Sequence, residues 1–183
     1  MLNRHLHLTA AVGKLSESGK LVGFQPDIIG ELWNAGLFQW IIVEADGAAG
    51  KPLKAPAAHE PVIPACTQRL VAMVGLNGVG QPLTERLVFR HTQFARLTGL
   101  RSGSKITPAA IADVLVRDEG LFKGSLPEAM RIAFLNQADV GENFSTGQRV
   151  ARILSGRKNT GLARVIIGQI LFDPPVLKVY DLD

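Results

Sequence analysis

The strongest constraint on the fold is a set of short apolar runs that show no alternation between polar and apolar residues. A strand that is buried on both faces reads in this way, whereas a strand with one wet face alternates. Segments with helical periodicity separate most of these runs, and this order is typical of the α/β class. The runs cover residues 40–45, 70–74 and 131–135, and two further strand-like segments cover residues 164–168 and 176–180.

We therefore predict a mainly parallel sheet with helices on both faces. We expect residues 1–183 to form a single α/β domain, in which two helices at about 84–120 make a small helical lobe. The helical segments are bounded by residues that suit helix ends, which are proline or a hydroxyl at the start and glycine at the stop. The predicted starts are Pro26, Thr84, Thr107 and Ser145, and the predicted stops are Gly36, Gly99, Gly120 and Gly156.

Length and composition favour a compact, water-soluble protein. The chain has 183 residues, of which 46% are hydrophobic, and this is enough to bury a core. No apolar run approaches the roughly 18 residues of a membrane span, and the N-terminal residues lack the apolar centre of a signal peptide. We expect a cytoplasmic protein with no membrane partner.

The charge pattern argues against nucleic acid as a partner. The formal net charge is +4, and the basic residues are scattered without the clustered aromatic residues of a single-strand-binding surface. A smaller anionic ligand is compatible with this balance. Cys66 is the only cysteine, so the chain has no internal disulfide and no site built from several cysteines.

Two acids stand at the end of the apolar run 40–45. In open α/β sheets, ligands bind beyond the carboxyl ends of the strands, so Glu44 and Asp46 are placed to serve a bound ligand. Their form is that of a Walker B element, in which a carboxylate at a strand end binds Mg²⁺ beside nucleotide phosphates. The structural alternative is that backbone donors or Lys51 and Lys54 satisfy these acids.

A second polar cluster follows the run 131–135. The residues Asn136, Gln137, Ala138 and Asp139 resemble the guanine-reading NKxD element, with glutamine in place of lysine. A fixed carboxylate at Asp139 can accept two parallel hydrogen bonds from guanine, and adenine lacks that pair of donors. The alternative is an ordinary turn at a strand end.

Other patterns carry weaker signals. The glycine spacing from Gly75 to Gly80 fits neither a dinucleotide fingerprint nor a phosphate loop and predicts a turn. No segment has the spacing Gly-x-x-x-x-Gly-Lys followed by Ser or Thr. The alternating pair His5 and His7 lacks a third ligand and is more often incidental than a metal site.

With these segments laid out, the sequence resembles the YqeC-type selenium-dependent hydroxylase accessory proteins, which are linked to selenium and molybdenum cofactor maturation. The resemblance covers most of the chain from about residue 21. It lies in the sequences VEADG at 43–47, PLKAP at 52–56, HEPVIP at 59–64, GQPL at 80–83, LTG at 97–99, ITP at 106–108 and LNQAD at 135–139.

The resemblance implies a P-loop NTPase-like fold with Mg²⁺ and ATP or GTP as cofactors. Family members of this type resemble NTPases whose phosphate loop lies near the N-terminus, and we expect this chain to begin after that loop and to be inactive alone. Glu44 and Asp46 would then serve Mg²⁺ and water, with Asn136 and Asp139 near the base. The alternative function is a non-catalytic binding or assembly module for a cofactor-loaded partner enzyme.

The stiff, proline-containing loop after Asp46 suggests a further role. It carries Lys54, His59 and Glu60, which we expect to meet the transferred group or an anionic selenium species. The alternative is that this loop folds over the sheet and these side chains are structural. The partners implied are a nucleotide, a selenium species and a molybdenum hydroxylase.

Overall fold

The structure, a computed structural model, describes residues 7–17 and 19–182. They form two compact units, which we describe separately. The smaller unit contains the described residues up to 42 together with 64–66, and the larger contains 43–63 and the residues from 67 onward. The single domain 1–183 and its helical lobe stay predictions.

The smaller unit contains a short hairpin and one helix. Strand β1 (Gly13–Lys14) pairs antiparallel with β2 (Leu21–Val22), and helix α1 (Pro26–Asn34) follows. Proline stands in the first turn of α1, as predicted, and Gly36 adopts φ +65° just beyond its end. The helix ends at residue 34, shortly before the predicted stop at Gly36, and none of its residues is buried.

The larger unit is built on one four-stranded sheet. Its strands, in spatial order, are β4 (Arg69–Gly75), β6 (Met130–Asn136), β7 (Arg164–Gly168) and β8 (Val176–Asp181). The first three strands are parallel, and β8 is antiparallel to β7. A separate parallel pair is formed by β3 (Leu53–Lys54) and β5 (Val88–Phe89). The segments predicted as strands from residue 70 onward are confirmed, and the fold is mixed α/β.

The described residues of the larger unit form three α-helices: α2 (His91–Thr98), α3 (Pro108–Val116) and α4 (Asn143–Ser155). The Thr107 cap is confirmed, because its hydroxyl accepts a hydrogen bond from the Ala110 amide at 3.2 Å. The Gly99 stop is also confirmed, with φ +72°.

Two of the predicted helix starts are wrong. Helix α2 begins at residue 91 instead of near Thr84, because residues 88–89 pair with β3 and are held in an extended conformation. Ser145 does not cap α4, since that helix already begins at residue 143. Its hydroxyl instead donates a hydrogen bond to the Glu142 carbonyl at 2.8 Å.

The core lies on one face of the sheet. Val74, Leu135 and Ile167 are neighbours across the three parallel strands, and they are buried in one cluster with Leu115 of α3 and Leu154 of α4. The opposite face of β4 carries Val71 and Met73, which are about half exposed. Within this unit, the prediction of helices on both faces is therefore not borne out.

The predicted buried strand at 40–45 is wrong. These residues have no regular secondary structure, and Ile42 and Trp40 are 94% and 69% exposed. An apolar run favours burial, but a strand also needs a neighbour for its backbone groups, and no strand of the described residues pairs with this segment. Glu44 and Asp46 therefore lie in an irregular segment and do not project from one face of a strand.

Candidate functional site

A cavity of about 390 Å³ lies where β4 and β6 end. Gly75 and Asn136, the last residues of these strands, are in register and both line the cavity. Another part of the wall comes from residues 48–54, which contribute Lys51 and the β3 residue Lys54. The volume lies within the range of roughly 300–1,000 Å³ that is usual for small-molecule sites.

Side-chain amides give the cavity a polar wall. Asn143 holds two wall residues together, since its amide nitrogen donates to Asn77 Oδ1 at 2.6 Å and to the Gln137 carbonyl at 2.8 Å. Gln137 has φ +67°, and its Oε1 is buried without a hydrogen-bond partner among the described residues. Strained residues and unsatisfied buried polar atoms are more frequent at functional sites than elsewhere.

Lys54 is the buried centre of a charged cluster beside this cavity. Its side chain is only 8% exposed, and its ammonium lies 2.7 Å from Asp46 Oδ2 and 3.3 Å from Glu60 Oε2. It also donates to the Gly47 carbonyl at 3.0 Å. The structural alternative, in which Lys54 satisfies Asp46, is therefore the arrangement observed.

Glu60 connects this lysine to α2. Arg90 stands directly before α2 and donates two parallel hydrogen bonds to Glu60, each of 2.7 Å. Paired bonds of this kind are among the strongest between charged side chains. Arg90 also packs on the Phe89 ring, with 4.2 Å between its guanidinium carbon and the ring centroid. The cluster thus ties the loop after Asp46 to the β5–α2 junction.

The environment of Glu60 changes its acidity. Burial by itself raises the pKa of this carboxyl group, but the hydrogen bonds from Arg90, the charge of Lys54 and the Ala57 amide outweigh it. The result is a pKa lowered from 4.5 to about 2. Because the folded pKa lies below the unfolded one, Glu60 stabilises the fold above pH 4.5, and this contribution is lost as the pH falls through about 2.

This sign leads to a prediction for the Glu60→Gln variant, which has no carboxyl group at this position to titrate. Between pH 6 and pH 3 we expect the wild-type protein to lose about 2 kcal/mol more unfolding free energy than the variant. Urea unfolding of both proteins at the two pH values measures this difference. Equal losses would mean that Glu60 is not held ionised by its partners.

The structure brings some of the predicted site residues together and leaves others apart. Lys54 and Asn136 line the same cavity, although Asn136 Oδ1 already accepts a hydrogen bond from the Ile170 amide at 3.1 Å. His59 Nε2 lies 3.8 Å from Glu60 Oε1, but the His59 side chain is 78% exposed. Glu44 and Asp139 are exposed, and neither lines the cavity.

Several residues of the site were not predicted for it. Arg90 is 30 residues from Glu60 in sequence, and no spacing rule connects two side chains at such a distance. The sequence suggests Lys51 only as a partner for the acids, and Gln137 only as the residue that replaces lysine in a base-reading pattern. The glycine before Lys51 is the sequence signal for its place in the site, because it marks a turn that carries a cation.

A second cavity of about 430 Å³ lies between the start of α3 and the middle of α4. Its charged residues, Arg149 and Arg152, are exposed, and Arg149 donates to the Thr146 hydroxyl at 2.9 Å. No predicted site residue lines this cavity. The cavity beside Lys54 is therefore the stronger candidate.

The described residues hold no obvious metal centre. Among residues 7–17 and 19–182, no group of three or more histidine, cysteine or acidic side chains is placed to hold a metal ion. Of the pair His5 and His7, which the sequence favours as incidental, His5 lies outside the described residues. In the same described ranges, every helix is too short or too polar to cross a bilayer.

Fold and cavity together define a mixed α/β protein with a small polar cavity at the carboxyl ends of its parallel strands. Comparison with known proteins then shows that the chain is similar to the YqeC family. Residues 2–92 match the family described as YqeC protein. A relative from Escherichia coli (strain K12), named "Uncharacterized protein YqeC", is 33% identical over 128 residues, which are 70% of this chain and 50% of the relative.

The match covers only part of that relative, since the chain spans about half of its length. No solved structure matches the chain. The comparisons therefore support a family and leave the activity to be argued from the site.

Proposed function

We propose that this protein binds a Mg²⁺-nucleotide, ATP or GTP, in the cavity beside Lys54 and serves as an accessory protein in the maturation of selenium-dependent molybdenum hydroxylases. The observation that carries the nucleotide part is the position of the cavity at the carboxyl ends of β4 and β6. Open α/β sheets bind their ligands there. The maturation role rests on the family resemblance.

The composition of the cavity wall supports an anionic, polar ligand. Lysine ammonium groups attract phosphate, and amide side chains supply both donors and acceptors for hydroxyl and base groups. Lys51, Asn77 and Gln137 provide these groups around the cavity. Asp139 is exposed and outside the wall, so recognition of guanine by this residue requires a ligand that extends beyond the cavity.

Asp46 is the carboxylate that fits a magnesium ion. Lys54 contacts its Oδ2 at 2.7 Å, and the Asp46 side chain is partly exposed. Mg²⁺ commonly binds through one or two carboxylates while it retains water and ligand phosphate oxygens. We therefore propose Asp46, with the exposed Glu44 nearby in sequence, as the magnesium side of the site.

The proposal predicts that nucleotide raises the melting temperature of the protein. At a concentration about 100-fold above the dissociation constant, Mg²⁺-ATP or Mg²⁺-GTP is expected to raise the melting temperature by about 5 °C or more. Asp46→Asn should remove the part of this shift that depends on Mg²⁺, while the exposed control Asp118→Asn should keep it. Thermal unfolding with and without EDTA separates the two parts. If neither nucleotide shifts the wild-type protein, the nucleotide proposal is wrong.

A second candidate function is a non-catalytic binding or assembly module for a cofactor-loaded partner enzyme. The observation in its favour is that Lys54 and Glu60 are engaged with other charged groups of the chain. Side chains held in this way are better suited to stabilising a binding surface than to taking part in a reaction. Phosphate release from bound nucleotide by the purified chain would favour the enzyme, and binding without release would favour the module.

The proposal for a selenium species involves the same cluster. An anionic selenium species at Lys54 would have to replace Asp46 or Glu60 as the partner of its ammonium group. His59 is the exposed member of this set. Full activity of a Lys54→Ala variant in hydroxylase maturation would count against a direct role of this lysine.

A further inference from the structure

We infer that Lys51, in the turn formed by residues 48–51, binds the anionic group of the ligand, and that Lys54 is a structural cation. This assignment rests on the proposed function, because it concerns a phosphate-bearing ligand in the same cavity. It differs from the sequence-based expectation, which gave the anion to Lys54. The two ammonium groups differ in how far their hydrogen bonds and charge are already engaged within the chain.

The Lys54 ammonium group is already engaged within the chain. It donates hydrogen bonds to Glu60 Oε2 at 3.3 Å and to the Gly47 carbonyl at 3.0 Å, and it forms an ion pair with Asp46 Oδ2 at 2.7 Å. These three contacts surround a group that carries three N–H donors. A ligand anion would have to displace a buried partner, and this would leave a carboxylate without compensation.

Lys51 has donors to spare. Its ammonium donates to one acceptor, the Glu85 carbonyl, so two of its three N–H groups remain. No carboxylate of the described residues forms an ion pair with it. A carbonyl does not neutralise the lysine charge, and the long side chain can turn from this exposed contact to a ligand.

The charges of the cluster also favour Lys51 as the residue that binds the anion. Two carboxylates, Asp46 and Glu60, face two cations, Lys54 and Arg90, and their charges cancel. Lys51 therefore contributes the uncompensated positive charge of the cavity wall. An anion that enters the cavity is attracted by this charge.

The backbone around Lys51 is shaped to face the cavity. Ala49 and Gly50 have φ +52° and +72°, and the Lys51 amide closes the turn on the Ala48 carbonyl at 3.0 Å. Left-handed backbone is costly for alanine, so the surrounding structure holds this turn in place. Ala48, Gly50 and Lys51 all line the cavity as a result. The turn and its lysine form the wall that receives the anion.

The ligand class follows from these groups. A single mobile ammonium beside a tight turn suits a compact, multiply charged group such as a phosphate chain. Tripolyphosphate is therefore a suitable probe, because it carries the charge of a nucleotide without a base or a ribose. It separates binding of the anion from recognition of the rest of the ligand.

The experiment compares Lys51→Met with a matched control, Lys158→Met, which removes an exposed lysine after α4 that does not line the cavity. Calorimetric titration with tripolyphosphate and with Mg²⁺-ATP and Mg²⁺-GTP measures the affinities. We expect Lys51→Met to weaken binding of tripolyphosphate and of each nucleotide that binds the wild type by about tenfold or more. Lys158→Met should leave binding unchanged, and Lys51→Arg should retain most of it.

A third variant tests the other half of the assignment. Lys54→Met is expected to lower the melting temperature by several degrees, whereas Lys51→Met should melt within about 1 °C of the wild type. Unchanged affinity in Lys51→Met, with nucleotide still bound by the wild type, overturns the role of Lys51 and leaves the proposed function standing. Failure of the wild type to bind any of these probes overturns both.

Discussion

Replacing Arg90 with alanine is expected to lower the unfolding free energy by about 3 kcal/mol. The loss is large because Glu60 is partly buried and would keep its charge after losing both hydrogen bonds from the guanidinium group. The substitution also removes the packing of Arg90 on Phe89. Urea unfolding at pH 7 measures the effect.

A double-mutant cycle separates the ion pair from the packing. Glu60→Ala and the double variant are measured beside Arg90→Ala, and we expect a coupling energy of at least about 1.5 kcal/mol. Additive effects would show that the pair contributes little and that the loss comes from packing. Lys54 remains paired with Asp46 in all of these variants, so the buried lysine keeps one carboxylate.

The chain contains a matched control for this prediction. Arg164 and Asp181 also form an ion pair of 2.7 Å, but their side chains are 49% and 72% exposed. Pairs in that setting are usually worth less than about 1 kcal/mol. Arg164→Ala should therefore cost much less than Arg90→Ala, although the two pairs have the same length. A similar cost for both would contradict an effect of burial.

Replacing Gly75 with alanine is expected to destabilise the protein by about 2 kcal/mol and to deform the cavity. A Cβ at this position would lie 2.7 Å from Gln137 Oε1, 2.8 Å from Pro52 Cβ and 2.9 Å from the Pro52 carbonyl oxygen. The glutamine side chain can move away. Pro52 cannot move as easily, because its carbonyl accepts the Gly75 amide hydrogen bond at 2.8 Å.

Unfolding experiments and nucleotide titration measure the two parts of this prediction. Gly30→Ala is the control, since a Cβ at Gly30 meets no atom within 4 Å and alanine favours the interior of helix α1. The same chemical change should therefore be neutral or stabilising at Gly30 and harmful at Gly75. If Gly75→Ala folds and binds ligand like the wild type, the close approach of Pro52 to the strand end does not shape the site.

The pattern of apolar residues predicted a strand correctly wherever the segment pairs with another strand of the sheet. The runs that became β4 and β6 were recognised because their continuous apolar side chains pack in the core or against neighbouring strands. The run at 40–45 is also apolar and forms no strand. Composition reports the preference of a segment for burial, but pairing depends on a second strand that can lie anywhere in the chain.

Helix-capping residues also predicted a helix start correctly only where no other segment competed for the residues that follow them. Thr107 caps α3 because the proline that follows it stops the preceding residues from being helical. Thr84 has an equally suitable side chain, but β3 competes for residues 88–89 and delays the helix to residue 91. A contact between segments 35 residues apart overrode the local preference.

The sequence by itself determined that the chain is mixed α/β, where most of its strands lie, and which polar residues follow them. Only the tertiary structure decided how those polar residues are used. Lys54, buried between two carboxylates and joined through Glu60 to Arg90, donates to Glu60 and to the Gly47 carbonyl and pairs with Asp46. Lys51, three residues earlier, keeps two of its donors. The physical reason is that hydrogen-bond capacity depends on which acceptors the fold brings within about 3 Å, and residue type alone carries no information about that.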